Sequence, residues 1–297
     1  MVNEPRRNFC VGSEWVYYKI FTGYKTADLV LTEIIKPITE QLLQENSINK
    51  WFFIRYSNPE HHLRIRFLCS DQNVIGKVIS KLYIPLNQYM GKDLIWKIQL
   101  DTYNREIERY GTETIELSEN LFYYDSDTTI KFLDLIEGDE GEQLRWLFGL
   151  KSINHLLNCF NYSLEEKMNL MEILKTGFGQ EFGMSRPLKK QLDDKFRVQR
   201  VRIEEFMLFT EENKLEYAPI IKLLEENEKK TRPLAKQILL ILNKGSQETK
   251  LNNLMSSYIH MLMNRLFKSK NRLNEMVCYD FLFRYYTSEI ARIKYND

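Results

Sequence analysis

Residues 51–68, Trp-Phe-Phe-Ile-Arg-Tyr-Ser-Asn-Pro-Glu-His-His-Leu-Arg-Ile-Arg-Phe-Leu, combine an aromatic run, a break at Ser57-Asn58-Pro59, and strict alternation. That order predicts two short strands joined by a tight loop, because Ser-Asn-Pro interrupts the first run and period-two patterning follows it. Side chains alternate along a strand, so His62, Arg64 and Arg66 share one face while Leu63, Ile65 and Phe67 share the other. Guanidiniums lined up on one strand face repel each other, which favours an anionic partner. The plainer reading is a solvated basic face, and this strand alone leaves both open.

The flanking residues build on this pair. Residues 15–21 are aromatic and β-branched and read as a strand that ends at Thr22-Gly23. Residues 27–43 set Leu29, Val30, Ile34, Ile38 and Leu42 at close to helical spacing, as residues 73–89 do with Val74, Ile75, Val78, Ile79 and Leu82. Residues 94–100 return to a strand. The order β-α-β-β-α-β matches the ferredoxin-like split β-α-β arrangement, an antiparallel sheet with both helices on one face. If Leu63, Ile65 and Phe67 face those helices, the basic face is left free for a ligand or another domain.

Beyond about residue 110 the pattern is helical almost without interruption, over residues 114–136, 142–159, 164–176, 185–209, 217–228, 232–242, 251–267 and 274–293. Gly138, Gly141, Gly177, Gly179, Gly183 and Gly245 fall at or near the seams. The expected class is therefore α+β, with a sheet region at 1–110 and a mostly helical region at 111–297. No long Pro/Ser/Gly-rich linker separates them, so one compact structural unit is expected.

Composition narrows the function classes. With 42 basic and 41 acidic residues among 297, the net charge of +1 argues against a protein held to nucleic acid by bulk charge. The strands also lack the Gly-aromatic signature of base-stacking sheets, so stable nucleic-acid binding is not expected. No stretch is long and apolar enough to span a membrane, and the N-terminus shows no secretory core, which predicts a soluble, cytoplasmic protein. Cys10, Cys69, Cys159 and Cys278 are far apart with no metal-ligand spacing; reduced thiols, and neither a disulfide framework nor a metal site, are expected.

Two further clusters carry chemistry. Asp101-Thr-Tyr-Asn-Arg-Glu-Ile-Glu-Arg-Tyr-Gly, holding Tyr103, Arg105, Glu106 and Arg109, follows the last strand, where a rigid sheet end meets an open loop. Taken alone, Arg105 and Arg109 are as well explained as surface ion pairs with Glu106 and Glu108. Farther on, His260 and Asn264 lie four residues apart on one helix face beside Ile259, Leu262 and Leu266. A histidine in such a setting is commonly a satisfied core residue, but an imidazole with a polar neighbour is also an acid/base candidate.

Trp15-Val-Tyr-Tyr-Lys, Trp51-Phe-Phe-Ile-Arg-Tyr, Pro59-Glu-His-His-Leu-Arg-Ile-Arg-Phe, Tyr103-Asn-Arg-Glu-Ile-Glu-Arg-Tyr-Gly and His260-Met-Leu-Met-Asn-Arg-Leu-Phe occur in this order. Together they resemble the glutamate-elimination domain of class I lantibiotic dehydratases, which also occurs as a separate protein in thiopeptide-type bacteriocin pathways. The likeness runs from about residue 13 to about residue 293. The length leaves no room for the larger glutamylation domain, so the resemblance is to the stand-alone, split form.

This resemblance implies a carbon–oxygen lyase that expels glutamate from glutamylated Ser or Thr side chains of a ribosomally made precursor peptide, leaving dehydroalanine or dehydrobutyrine. It needs no cofactor. The partners implied are that peptide and a separate tRNA-dependent glutamylating protein; a homodimer is compatible with it. The family's catalytic residues correspond to Arg66, Arg105 and His260. Arg64, His62, Tyr103, Glu106, Arg109, Asn264 and Arg265 are the substrate-binding candidates, with Asn264 expected to orient His260 and Tyr103, Glu106 and Tyr110 to organise the arginines. A related fold that builds the pyridine ring of thiopeptides by [4+2] cycloaddition, and a non-catalytic peptide-binding module, are the competing expectations.

Overall fold

The computed structural model describes residues 4–183, 185–210, 213–243 and 248–296; Gly245, expected at a helix seam, lies outside them. The protein is α+β and forms two compact units, Met1–Leu135 and Ile136–Asp297. The first unit takes in, besides the sheet region, a long helix that follows it.

In chain order the first unit comprises β1 (Asn8–Phe9), β2 (Trp15–Thr22), α1 (Tyr24–Leu29), a π-helical turn (Val30–Ile35), α2 (Lys36–Gln44), β3 (Ile48–Tyr56), β4 (His62–Cys69), α3 (Ile75–Met90), β5 (Ile95–Leu100), β6 (Tyr103–Asn104), α4 (Ile107–Tyr110) and α5 (Ile115–Leu135). The widened turn sits just before Pro37, whose ring and missing N–H disturb regular α-helical bonding one turn back. Asp71 opens the α3 region by accepting the Asn73 N–H at 2.6 Å. The strands pair in the order β3-β4-β2-β5, every neighbour antiparallel, while β1 and β6 form a separate two-stranded sheet.

Alternation in β4 holds: Leu63, Ile65 and Phe67 are fully buried. Burial of each such side chain contributes about 1.5–3 kcal/mol, so register is strongly specified. The opposite face is not the open surface the alternation implied, because Arg66 and His62 are buried too and only Arg64 is partly accessible. Helix α5 packs beside β3, with Phe122 against Phe52 at 5.6 Å between ring centroids. Its Ser126 Oγ accepts the outward Phe53 N–H at 3.2 Å, capping an edge that would otherwise be left unpaired.

The second unit is helical: α6 (Gly138–Cys159), α7 (Leu164–Phe182), α8 (Arg186–Leu208), α9 (Ala218–Leu242), α10 (Glu248–Leu266) and α11 (Asn271–Asn296). A capping box starts α7, with Ser163 Oγ accepting the Glu166 N–H and Glu166 accepting the Ser163 N–H. The two helices expected at 217–228 and 232–242 are one, running through Pro233. Ile220, Leu224, Thr231, Ala235 and Ile238 keep one buried stripe on both sides of the proline, and that packing outweighs the local break. None of the described helices is long and apolar enough to cross a membrane. All four cysteines are free thiols.

Lys151 of α6 is half-buried, donating to the Met207 carbonyl and lying 4.3 Å from the Phe209 ring centroid. Burial, helped by the charge of Lys167, lowers its pKa to about 8. The unfolded chain, with an ordinary lysine, binds more protons between about pH 8 and 10.5, so this group makes stability rise with pH across that window and is a constant penalty below it. Lys151→Met is accordingly expected to stabilise the fold by about 2 kcal/mol at pH 7, with the gain vanishing near pH 10. Urea midpoints of both proteins at the two pH values provide the check.

Candidate active site

The candidate residues on β4 lie in cross-strand rows on one sheet face. Register aligns Tyr56, His62, Phe21 and Lys97 in one row, Ile54, Arg64, Lys19 and Gln99 in the next, and Phe52, Arg66 and Tyr17 in the third. Asp101 extends the third row, its N–H donating to Tyr17 O at 3.1 Å.

Arg66 occupies an aromatic cage. Its guanidinium carbon lies 4.4 Å from the Tyr17 ring centroid, 4.8 Å from Tyr103 and 5.3 Å from Phe52. The residue is 8% exposed, its Nε has no hydrogen-bond partner, and no carboxylate among the described residues pairs with it. Three ring faces offset part of the desolvation, at roughly 1–2 kcal/mol each, but they supply no hydrogen-bond acceptor. A buried guanidinium in this state has unused capacity to donate to an anion.

Arg64 stacks on Tyr56, 3.5 Å from the ring centroid, and its Nε donates to His62 Nε2 at 3.1 Å. His62 Nδ1 then carries the proton and donates to Glu60 O at 2.9 Å. Burial, with the nearby cations, pushes the His62 pKa below its ordinary value, which suits this neutral tautomer.

Arg105 is a paired cation, with four hydrogen bonds. Its Nε and Nη2 grip both oxygens of Glu119 at 2.7 and 2.8 Å, and Nη1 reaches Glu116 at 3.3 Å and the Arg6 carbonyl at 3.2 Å. Tyr103 donates to Glu119 at 2.8 Å, and Lys50 Nζ lies 3.9 Å away. Burial and the Glu119 charge hold the Tyr103 hydroxyl protonated well above its usual range. Glu119 is completely buried. The cluster thus fixes Tyr103, one wall of the Arg66 cage.

Glu106, expected to organise the arginines, instead pairs with Arg109 at 3.2 Å on the exposed side of α4. Glu119 went unnoticed in the sequence, although a signal was there. It stands with Ile115, Ser118 and Phe122 on the buried stripe of α5, where a carboxylate requires a cation.

In the second unit His260 on α10 is held by α11. Its Nδ1 lies 2.9 Å from Glu275 Oε1, and Glu275 is fully buried. Tyr279 donates to the other Glu275 oxygen at 3.4 Å, and Arg272 stands 3.5 Å from it. The bond to Glu275 directs the Nδ1 proton at the carboxylate and leaves Nε2 as the ring nitrogen not engaged by Glu275, on a side chain 33% exposed. Glu275 thus holds the His260 ring from its Nδ1 side, while the backbone carbonyl of Asn264, expected to orient the ring, accepts from Asn271 Nδ2 at 3.3 Å. Arg265 is 1% exposed and belongs to the packed interior.

The first unit thus presents an aromatic sheet face around an arginine with no acid partner, and the second a histidine bonded to a buried carboxylate. The chain belongs to the family described as "Lantibiotic biosynthesis dehydratase C-term", which matches residues 15–286. Nisin biosynthesis protein NisB of Lactococcus lactis subsp. lactis is 26% identical over 294 residues, covering 97% of this chain; the chain spans 27% of the length of NisB. The same fold occurs in the tRNA dependent lantibiotic dehydratase MibB from Microbispora sp. 107891, with a TM-score of 0.71 at 18% identity over 92% of this chain and 28% of MibB. It also occurs in TbtD, the pyridine synthase from thiomuracin biosynthesis, with a TM-score of 0.65 at 12% identity over 91% of this chain and 97% of TbtD.

Proposed function

We propose that this protein eliminates glutamate from glutamylated Ser or Thr side chains of a ribosomally made precursor peptide. The observation that carries this reading is Arg66, a caged guanidinium with no internal acid, in a member of the dehydratase family. A base removes the Cα proton, the electron pair of the broken Cα–H bond forms the Cα–Cβ double bond, and the Cβ–oxygen bond breaks with its pair leaving on glutamate as a carboxylate. Arg66 is aimed at that developing negative charge, where preorganised donors act most strongly. His260 moves the proton through Nε2. Arg105 acts at one remove, through Glu119 and Tyr103, as a positioning residue.

The same reading treats the β-α-β-β-α-β order as ferredoxin-like. It requires a tRNA-dependent glutamylating protein to make the ester, which places the chemistry in the cytoplasm. The fold likeness to TbtD keeps cycloaddition as the competing reading, but two dehydroalanines bring no carboxylate to Arg66. Incubating the protein with a glutamylated peptide and with a dehydrated peptide, followed by mass spectrometry, separates them. Loss of glutamate supports elimination. Ring formation from the dehydrated peptide supports cycloaddition instead, and no change to either peptide leaves a binding module.

Glu275→Gln keeps the hydrogen-bond geometry around His260 while removing the charge that steadies an imidazolium. Glutamate release is expected to fall between about 10-fold and about 10⁴-fold, the span of effects from losing an orienting carboxylate behind a histidine. Rates measured on variant protein with an unchanged circular dichroism spectrum test this; an unchanged rate removes Glu275 from the mechanism.

A further inference from the structure

Beside the Arg66 cage stands an ion pair the elimination chemistry does not use. Lys19 of β2 sits in register between Arg64 of β4 and Gln99 of β5, and its Nζ pairs with the Asp101 carboxylate. The Tyr17 ring joins the two features, since the Arg66 guanidinium lies 4.4 Å and Lys19 Nζ 5.8 Å from its centroid. Asp101 is held in place by the Thr102 N–H, which donates to Oδ1 at 2.7 Å. The Lys19 and Asp101 side chains are 21% and 43% exposed, so both charges can be reached from solvent.

A site that needs only to bind a carboxylate needs only cations. A glutamyl ester carries more: whichever carboxyl is esterified, one free carboxylate and one α-ammonium remain. Such a zwitterion is complementary to a lysine and an aspartate held side by side. Glu119 cannot serve the ammonium, because Arg105 and Tyr103 already occupy it. Asp101 can, since an exposed ion pair contributes little to stability and exchanges partners readily.

We propose that Asp101 and Lys19 form the subsite that reads the amino-acid end of the glutamyl group, Asp101 taking the α-ammonium and Lys19, with Arg64, the free carboxylate. The inference rests on the elimination reading, and it identifies Asp101 as a determinant of specificity.

The test compares a glutamyl ester peptide with a glutaryl ester peptide, which lacks only the amine, in the parent protein and in Asp101→Asn. The parent is expected to favour the glutamyl ester about tenfold in kcat/KM, and Asp101→Asn to abolish the preference by raising KM for the glutamyl ester alone. Equal treatment of both esters by the parent, or an equal loss on both in the variant, overturns the proposal. A second measurement uses non-eliminable glutamyl and glutaryl amide peptides in binding titrations. If neither ester reacts, the elimination reading fails, and the amides still decide this inference: a glutamyl preference lost in Asp101→Asn supports it, and equal binding overturns it.

Discussion

Arg66→Ala is expected to slow glutamate release from a glutamylated peptide about 10²- to 10³-fold, a loss of roughly 3–4 kcal/mol of transition-state stabilisation. Arg66→Lys is expected to rescue little, because an ammonium is a point charge without a planar fork to meet a carboxylate or to lie flat against Tyr17 and Tyr103. The same site makes the opposite prediction for stability. In the free protein the Arg66 charge is desolvated with no acid against it, so Arg66→Met, apolar and able to replace the arginine's aliphatic stem, is expected to match or exceed the parent's urea midpoint. An inactive but undiminished fold is the signature of a residue kept for binding. Full activity in Arg66→Met would remove it from the site, and a large drop in midpoint would make it structural.

Glu119→Ala is expected to destabilise the first unit by about 3–5 kcal/mol, the usual result of leaving a buried cation without its partner. The carboxylate accepts from Arg105 Nε, Arg105 Nη2 and Tyr103, with Lys50 nearby, so one substitution strands several polar groups at once. Glu119→Gln keeps the volume and some acceptor capacity and is expected to cost less. Urea denaturation followed by tryptophan fluorescence measures both, and an unchanged midpoint in Glu119→Ala would show that Arg105 finds another partner. Arg105→Ala is the complementary case: it leaves Glu119 charged and buried, so its effect on glutamate release is to be read only after its stability is known.

Much of the local structure was legible in the residues. The break at Ser57-Asn58-Pro59, the alternation from His62 to Phe67 and the helical spacing at 27–43 and 73–89 foretold strands and helices within a few residues of those found. The motif order likewise indicated the family. The departures from local pattern share one cause. The basic face of β4 was expected to be open, and Pro233 was passed over as a helix interior; in each case packing from distant residues prevailed over a correct local pattern. The carboxylates that hold Arg105 and His260 are Glu119 and Glu275, which stand 14 and 15 residues along the chain from them and meet them only through folding.

By itself the sequence determined which residues alternate, which faces they share and where the chain must turn, because those depend on backbone geometry a few residues at a time. Only the tertiary structure decided which arginine is free. Arg64, Arg66 and Arg105 look alike on paper, but one stacks on Tyr56, one is caged by rings from β2, β3 and β6, and one is tied to Glu119. The availability of a charge depends on its neighbours within a few ångströms, and those come from elements the chain brings together only when it folds.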